Sequence, residues 1–467
     1  MKRKKIAVIA GGITGLSAAY YLQKEIREQK LPYDIKLIES DHRLGGKIKT
    51  LKRDGFTIEQ GPDSLLARKQ PAVKLTKELG LENKVVHNAT GQSFMLMKRK
   101  LYPMPKETFM GIPKTGKSIR STQLVSMKGK LRAMMEPLVP KGKEDGDQSL
   151  GQFFRRRFGD ELLVNQVDAL LSGIQSGDID KMSLKATYPM FHKLEQEYGS
   201  VMKGLRKTMP APKKNAGNKS ASAFFSYEGG LDTLVARLID ELEEGTVQLN
   251  TAVDHIEKKE DVYHLLLSDG TVYKADAVIS TTPHSAVPRM FSQYDFFKVF
   301  QDVPSVSTAN VVLAFDRSAL KKDIDGTGFL VSRNSDYRIT ACTWTHKKWP
   351  STAPEGKALL RCYVGRPGDE EIVDLSDDEI TDIVLKDLKK VMKIKGKPEF
   401  RVITRWKNGR PQYHVGHIER LAEVRANMAD HLPGVYLAGA SYEGGGIPDC
   451  IEQGEQAVMN ALDFLKE

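Results

Sequence analysis

Cysteine is scarce in this sequence: three in 467 residues, Cys342, Cys362 and Cys450, none of them in a CxxC pair. A disulfide framework and a zinc ribbon are thereby excluded, and a reducing compartment is indicated. No apolar run reaches the ~18 residues that a helix needs to cross a bilayer. The start is basic, Met1 to Lys5, but the apolar run behind it breaks at Gly11, which suits a first strand and not a signal peptide. RNP patterns, zinc-finger spacings and helix-turn-helix signatures are also missing. The 71 Lys and Arg against 60 Asp and Glu, a net charge of +11, are spread without a long basic block. They suit a solvated surface, an anionic membrane face or an acidic small molecule better than nucleic acid. These absences predict a cytoplasmic protein, at most peripheral to a membrane. No fixed-period repeat occurs.

What is present is an ordinary globular balance, 40% hydrophobic and 28% charged, in a chain long enough for two or three domains. Ile6 to Ala10 reads as a strand buried on both faces. A glycine turn follows, then a helical pattern from Ile13 to about Gln29, then a strand over Asp34 to Glu39. Strand, turn, helix and strand open a dinucleotide-binding fold. Helices are predicted over Ser149 to Phe158, Asp160 to Leu171, Leu231 to Leu242 and Ser376 to Met392. Strands are predicted over Val247 to Ile256, Val262 to Leu267, Val272 to Ile279, Asn310 to Phe315 and Ala358 to Val364, with Asp269-Gly270 as a hairpin turn. Lys207 to Ala221 is basic, polar and Pro/Gly-bearing, an exposed loop or linker. The C-terminal stretch returns to strand (Val435 to Ala438), glycine turn and helix. The ends of the chain thus resemble each other, as they would in a nucleotide domain built from separated pieces.

The first turn reads Ala10-Gly11-Gly12-Ile13-Thr14-Gly15. The fingerprint Gly-x-Gly-x-x-Gly has alanine in its first place here, which adds a Cβ where the chain bends. Gly12 lets the backbone approach a pyrophosphate, Gly15 lets the helix pack on the strand, and the helix N-terminus offers partial positive charge. Glu39 ends the second strand, placed to accept ribose hydroxyls. Arg43-Leu44-Gly45-Gly46-Lys47 sets two glycines between cations, suited to the same phosphates. At the far end Leu437-Ala438-Gly439-Ala440-Ser441 closes a strand, and Gly444-Gly445-Gly446-Ile447-Pro448-Asp449 leads into a helix. Pro448 suits that helix's first turn, and exposed N–H groups there could face a flavin N1–C2 carbonyl.

Arg43-x-Gly-Gly-Lys47, Gly55-Phe56, Glu59-Gln60-Gly61-Pro62-Asp63-Ser64 and the last glycine turn resemble the FAD-linked amine oxidase superfamily. Leu171-Ser172-Gly173-Ile174 with Gly177-Asp178, Gly326 to Leu330, and Trp406 through Tyr413 to His417 are similar to protoporphyrinogen/coproporphyrinogen oxidases. The likeness spans essentially the whole chain and is closest to the Gram-positive bacterial branch. It implies an α/β (α+β overall) protein: a discontinuous Rossmann-like FAD-binding domain (1–66, 226–288, 426–467), a mixed-sheet substrate domain (67–103, 200–225 with the linker, 289–425) and an inserted helical domain (104–199). It implies FAD held by Gly11, Gly12, Ile13, Thr14, Gly15, Glu39, Ser40, Arg43, Gly45, Gly46, Lys47, Gly61, Pro62, Asp63, Ser64, Val253, Gly439, Ala440, Gly446, Ile447 and Pro448. For the substrate, coproporphyrinogen III, the expected contacts are Arg68 and Lys69 for propionates, and Gly173, Ile174, Gly328, Phe329 and Leu330 for the apolar macrocycle. Hydride would pass from a meso carbon to flavin N5 in three rounds, with three dioxygen reduced to three hydrogen peroxide and coproporphyrin III as product in haem biosynthesis. No side chain is required as acid or base, and no metal is implied. The reading leaves room for other haem-pathway enzymes, a ferrochelatase among them, as partners. Two departures stand out: Ala10 replaces the usual glycine, and Ser93 sits near where plant and animal relatives carry a propionate-binding arginine.

Rival readings use other residues. Protoporphyrinogen IX differs from coproporphyrinogen III by vinyl for propionate at two positions, which sequence spacing does not distinguish. Gly111-Ile112-Pro113-Lys114-Thr115-Gly116-Lys117-Ser118 satisfies a Walker A pattern, and Val311 to Asp316 mimics its partner. Yet no buried strand precedes the loop, and Pro113 removes a donor. A flavin amine oxidase is expected to carry an aromatic cage, for which Tyr442 alone is in place. His414 and His417 lack a third metal ligand. Cys450 reads as a buried, inert thiol. Met127 to Lys143 mixes apolar and cationic residues, fit for an exposed helix face or contact with an anionic membrane.

Overall fold

The structure, a computed structural model, describes residues 3–144, 146–209, 223–322, 324–333 and 335–466. Its first unit follows directly from the apolar strand and the helix pattern behind it. The strand Lys4–Ile9 is buried over its last four residues and leads through Ala10 to Gly12 into the helix Ile13–Gln29. It forms the middle of a five-stranded sheet in the order Val247–Gln248, Tyr33–Ile38, Lys4–Ile9, Ala277–Ser280, Val435–Leu437. Every pairing in it is parallel. The strands therefore come from three separated stretches of chain. Core side chains cover both faces, as a parallel sheet demands: Leu16, Ala19, Ile451 and Val458 on one side, Phe291, Phe297 and Tyr442 on the other.

The chain ends are joined by helix packing. The C-terminal helix Ile447–Lys466 lies against the first helix. A Cβ on Gly454 would stand 2.6 Å from the Thr14 carbonyl oxygen, so only glycine permits this approach.

A second sheet has seven strands in the order Phe400–Pro411, Ser305–Asp316, Lys357–Val364, Ala341–Trp344, Gly328–Val331, Ser93–Met97, Lys100–Pro103. All its pairings are antiparallel except Gly328–Val331 with Ser93–Met97. The helix Asp377–Met392 buries its apolar face on this sheet, and starts in a capping box of Ser376 and Glu379. A helical unit between residues 116 and 208 includes Leu150–Phe158, capped likewise by Ser149 and Gln152. At its centre Arg157 is fully buried against Glu136 and Glu195.

Several boundaries differ from expectation for local reasons. The single strand expected over Val247 to Ile256 is two, Val247–Gln248 and Val253–Lys259, because Asn250 turns the chain at φ 54°. The strand expected over Val272 to Ile279 splits at Asp276, which accepts the Lys5 N–H at 2.6 Å. Val272–Ala275 joins an antiparallel hairpin, while Ala277–Ser280 joins the parallel sheet. Asp160 to Leu171 is a helix interrupted by a π-helical turn at Leu163–Val167. Of the expected linker Lys207 to Ala221, Lys207 and Thr208 end the helix Val201–Thr208, and 210–222 lie outside the described residues.

Candidate cofactor and substrate site

The first turn is tight because several groups compete for one small volume. Ala10 sits at φ 75°, the left-handed region that an alanine enters at a cost of about 1–2 kcal/mol. A Cβ on Gly15 would lie 1.9 Å from the Ala10 carbonyl oxygen, whereas one on Gly12 would meet nothing within 4 Å. Close packing therefore explains Gly15, and open space lies over Gly12, the N-cap of the first helix. The free N–H groups of that helix end, at Ile13, Thr14 and Gly15, form a natural cradle for phosphate.

Other segments close around the same turn. Gly11 donates its N–H to Glu39 Oε2 at 2.5 Å, and Glu39 Oε1 accepts from Asp41 N at 2.8 Å and Ser40 Oγ at 3.1 Å. Val253, 4% exposed, starts a strand just past Thr251, whose N–H reaches the Glu39 carbonyl. Gly45 bonds Gly11 through its N–H at 2.8 Å, and a Cβ on Gly46 would be 3.1 Å from Gly12 Cα. Arg43 braces this loop, donating to the Ile48 carbonyl at 3.1 Å and to Asp232 at 3.2 Å. Gly61 is pressed on the Lys47 carbonyl and leads through Pro62 to Asp63 and Ser64. From the other end of the chain, Gly439 (φ 118°) stands beside Thr14 and takes Gln453 Oε1 on its N–H at 2.9 Å. Tyr413 donates its hydroxyl to the Ala440 carbonyl at 2.6 Å and stacks on His417 at 4.4 Å. Gly446 leads into the C-terminal helix, which Ile447 and Pro448 open, and the Cys450 N–H reaches the Gly446 carbonyl.

The charges nearby are unusual for an interior. Asp63 meets Lys348 at 2.9 Å, Trp349 Nε1 at 3.3 Å, Ser64 Oγ at 2.8 Å and Arg361 at 3.5 Å. Burial works against its charge, but Lys348 and Arg361 win and hold the carboxyl well below the usual range. Arg361, 2% exposed, also donates to Asn310 Oδ1 at 3.1 Å and to the Gly61 carbonyl. Burial pushes the Glu59 carboxyl up to about 7, against the opposing pull of Leu231 N–H and Thr50 hydroxyl. Lys47 donates to the Gly409 carbonyl, and burial, then Arg410, bring its ammonium down to about 8.

The residues expected at the substrate divide into groups. Gly173 faces Leu330, whose Cδ2 would be 3.7 Å from an added Cβ, and Ile174 is 49% exposed. Gly328, beside Ser93 in register, begins that strand. Phe329 points to the opposite face and packs on Trp344 in the core, 6.2 Å between ring centroids. Lys69 pairs with Asp449 at 2.5 Å, and Arg68 lies over the Phe109 ring at 4.8 Å.

The decoys have structural homes. Ile112–Pro113 is a two-residue antiparallel strand, so the Walker-like loop follows no parallel strand. Lys114, Thr115 and Gly116 border a hollow of ≈ 320 Å³, on the helical unit. Tyr442, 1% exposed, donates to the Thr282 carbonyl at 3.1 Å and forms no cage. His417 is committed to the Tyr442 carbonyl at 2.7 Å. Burial pushes the Cys450 thiol up to about 11. No helix among the described residues is long and apolar enough to cross a membrane. Sequence reasoning missed Lys348, Arg361, Asn310, Tyr363 and Arg410. Only Arg361 left a signal, a charge inside the apolar run Leu359-Leu360-Arg361-Cys362-Tyr363-Val364.

The parallel sheet and the glycine turn at its first helix define a protein of mixed α/β architecture with a Rossmann-like sheet. The chain belongs to the flavin-containing amine oxidoreductase family, whose model matches residues 13–462, and the open cradle over Gly12 fits such a cofactor. It is 50% identical over 464 residues to a coproporphyrinogen III oxidase of Bacillus subtilis (strain 168), covering 99% of each chain. It is 42% identical to that of Staphylococcus aureus (strain NCTC 8325 / PS 47), over 99% of this chain and 100% of the other. A crystal structure from Exiguobacterium sp. 255-15 superposes with a TM-score of 0.87 at 37% identity, covering 100% of both chains.

Proposed function

We propose that this chain is an FAD-dependent oxidase that converts coproporphyrinogen III to coproporphyrin III, reducing three dioxygen to three hydrogen peroxide. The observation that carries the reading is the convergence of four glycine segments, around Gly12, Gly46, Gly61 and Gly439, on the start of the first helix, with open space over Gly12. FAD bound there supplies a two-electron acceptor that oxygen can restore.

The chain's own groups have distinct tasks. The N–H groups of Ile13 to Gly15, the Gly45-Gly46 loop and the Lys47 ammonium hold the pyrophosphate, and Glu39 receives the ribose. Gly439, Ala440 and the Gly446–Pro448 turn hold the flavin ring, with Tyr413, past the end of the strand Phe400–Pro411, and His417, at the start of the next helix, fixing the stretch Ala440 to Tyr442. Gly173 and Leu330 offer a narrow apolar lip to the macrocycle, and Lys69 and Arg68 stand at the mouth for propionates. The division into FAD-binding, substrate and helical domains given above accompanies this reading.

The test is anaerobic mixing of the yellow holoprotein with coproporphyrinogen III and, separately, with protoporphyrinogen IX. Faster bleaching of the flavin by coproporphyrinogen III, then three peroxide per porphyrin after air is admitted, is the expected result. Faster bleaching by protoporphyrinogen IX would transfer the assignment to that substrate, and bleaching by neither would end it.

A further inference from the structure

One charge in this cleft is unaccounted for. Arg410 belongs to the edge strand Phe400–Pro411, opposite Val306. The register slips there, so that Lys407 to Gly409 bulge away between Trp406 and Arg410. The bulge is tied to the flavin side of the cleft, because the Gly409 carbonyl accepts the Lys47 ammonium. It is tied to the helical unit by Gln412, whose amide donates to the Gln175 carbonyl at 3.1 Å. Arg410 is thus set between the cofactor loop and the helix that carries Gly173 and Ile174.

Its guanidinium makes no hydrogen bond or ion pair among the described residues. The side chain is accessible, while its neighbours crowd it enough that burial lowers it from its ordinary value; Tyr363 opposes and Arg361 adds to that lowering. The bulge that ties Gly409 to Lys47 sets this accessible side chain beside the cofactor loop. Arg361, two strands away in the same sheet, keeps its Nη1 without a hydrogen bond, 3.5 Å from Asp63, although the residue is 2% exposed. Lys47 completes the group. The nearest acid, Asp63, is already matched by Lys348 and Arg361, and Glu59 is held toward its neutral form. Arg410 is the member of this group with its guanidinium still open to a ligand that brings a carboxylate.

We infer that Arg410 is a further propionate-binding residue of this site, holding a carboxylate of the porphyrinogen at the flavin edge of the cleft. The inference rests on the porphyrinogen reading above and adds a residue to it. Ser93, beside Gly328 on the parallel strand pair, brings no charge to the cleft, and Arg410 supplies one from the opposite edge of the same sheet. A guanidinium matches a carboxylate in a two-point contact, and an ammonium does not. Lys47 and the phosphate cradle are nearer to the cofactor, which leaves Arg410 for the substrate.

The test uses the FAD-loaded full chain and the porphyrin product, so that no turnover is needed. Dissociation constants of coproporphyrin III, of an octaalkyl porphyrin without carboxylates, and of FAD are measured for wild type, Arg410→Gln and Arg410→Lys. Arg410→Gln is expected to weaken coproporphyrin III about 10- to 100-fold, the usual effect of losing a charge-assisted hydrogen bond. The octaalkyl porphyrin and FAD should bind as before, and Arg410→Lys should recover part of the loss. An equal loss for both porphyrins would mean a shape effect and overturn the inference. So would weaker FAD with unchanged coproporphyrin, which would assign the guanidinium to the cofactor, or no change in any ligand. A wild-type holoprotein that binds no coproporphyrin is a different failure, because it removes the parent reading before any variant is made.

Discussion

Ala10 and Glu59 pull against the local preferences of their residue types. Ala10 holds φ 75° where glycine would carry no Cβ penalty, although glycine also loses more freedom on folding. Ala10→Gly is therefore expected to stabilise the apoprotein by about 1 kcal/mol in denaturant unfolding, and destabilisation would show that the alanine methyl is needed. Glu59, 7% exposed, has a folded-state value of about 7 against an ordinary 4.5. A carboxyl raised in this way contributes stability below pH 4.5 that is lost as pH rises through 7. Wild type minus Glu59→Gln should thus fall by about 3 kcal/mol between pH 4.5 and 7, and a flat difference would refute the raised value. Lys47, near 8, must be charged to hold an anion. FAD affinity should be level below pH 8 and decline above it, and Lys47→Met should bind more weakly with no such decline. Equilibrium titrations at several pH values would check this.

Among the elements, legibility followed the reach of the interactions. The helix Ile13–Gln29 and the strand Val262–Leu267 have the bounds that periodicity predicts, because their burial repeats with the element's own period. The split at Asp276 was not visible, since Val272 to Ile279 is uniformly strand-forming and the break depends on a carboxylate meeting the distant Lys5 N–H. The glycine turn at the start of the first helix was legible because its glycines are close in sequence. Arg361 and Lys348 were not, because the buried ion cluster around Asp63 draws on residues as far as 300 positions from Gly61 and leaves no spacing to read, and the exposed Arg410 leaves none either. Helix contact is the element-scale prediction. Gly454→Ala places a methyl 2.6 Å from the Thr14 carbonyl oxygen, and overpacking of this kind typically costs about 1–3 kcal/mol. The variant should unfold earlier and retain less flavin, and wild-type retention would mean that the two helices need not stay in register.

The molecule as a whole is a sheet made from three stretches of chain, with a second sheet placed over its cleft and a helical unit beside it. The helical unit carries its own buried ion cluster, Arg157 with Glu136 and Glu195, where loss of one member leaves unpaired buried charge. The first turn instead leaves open space over Gly12, and Arg410 stays accessible on the strand tied to Lys47, which suits a ligand and not a self-sufficient core. The central claim is that the two ends of the chain enclose one FAD. Titration of the full-length apoprotein with FAD and with FMN, which lacks the adenosine and one phosphate, tests it most directly. The account predicts one FAD per chain and markedly weaker FMN, because Glu39 would have nothing to hold and the Gly12 cradle only one phosphate. A folded protein that stays colourless with FAD, or that binds FMN equally well, would contradict it.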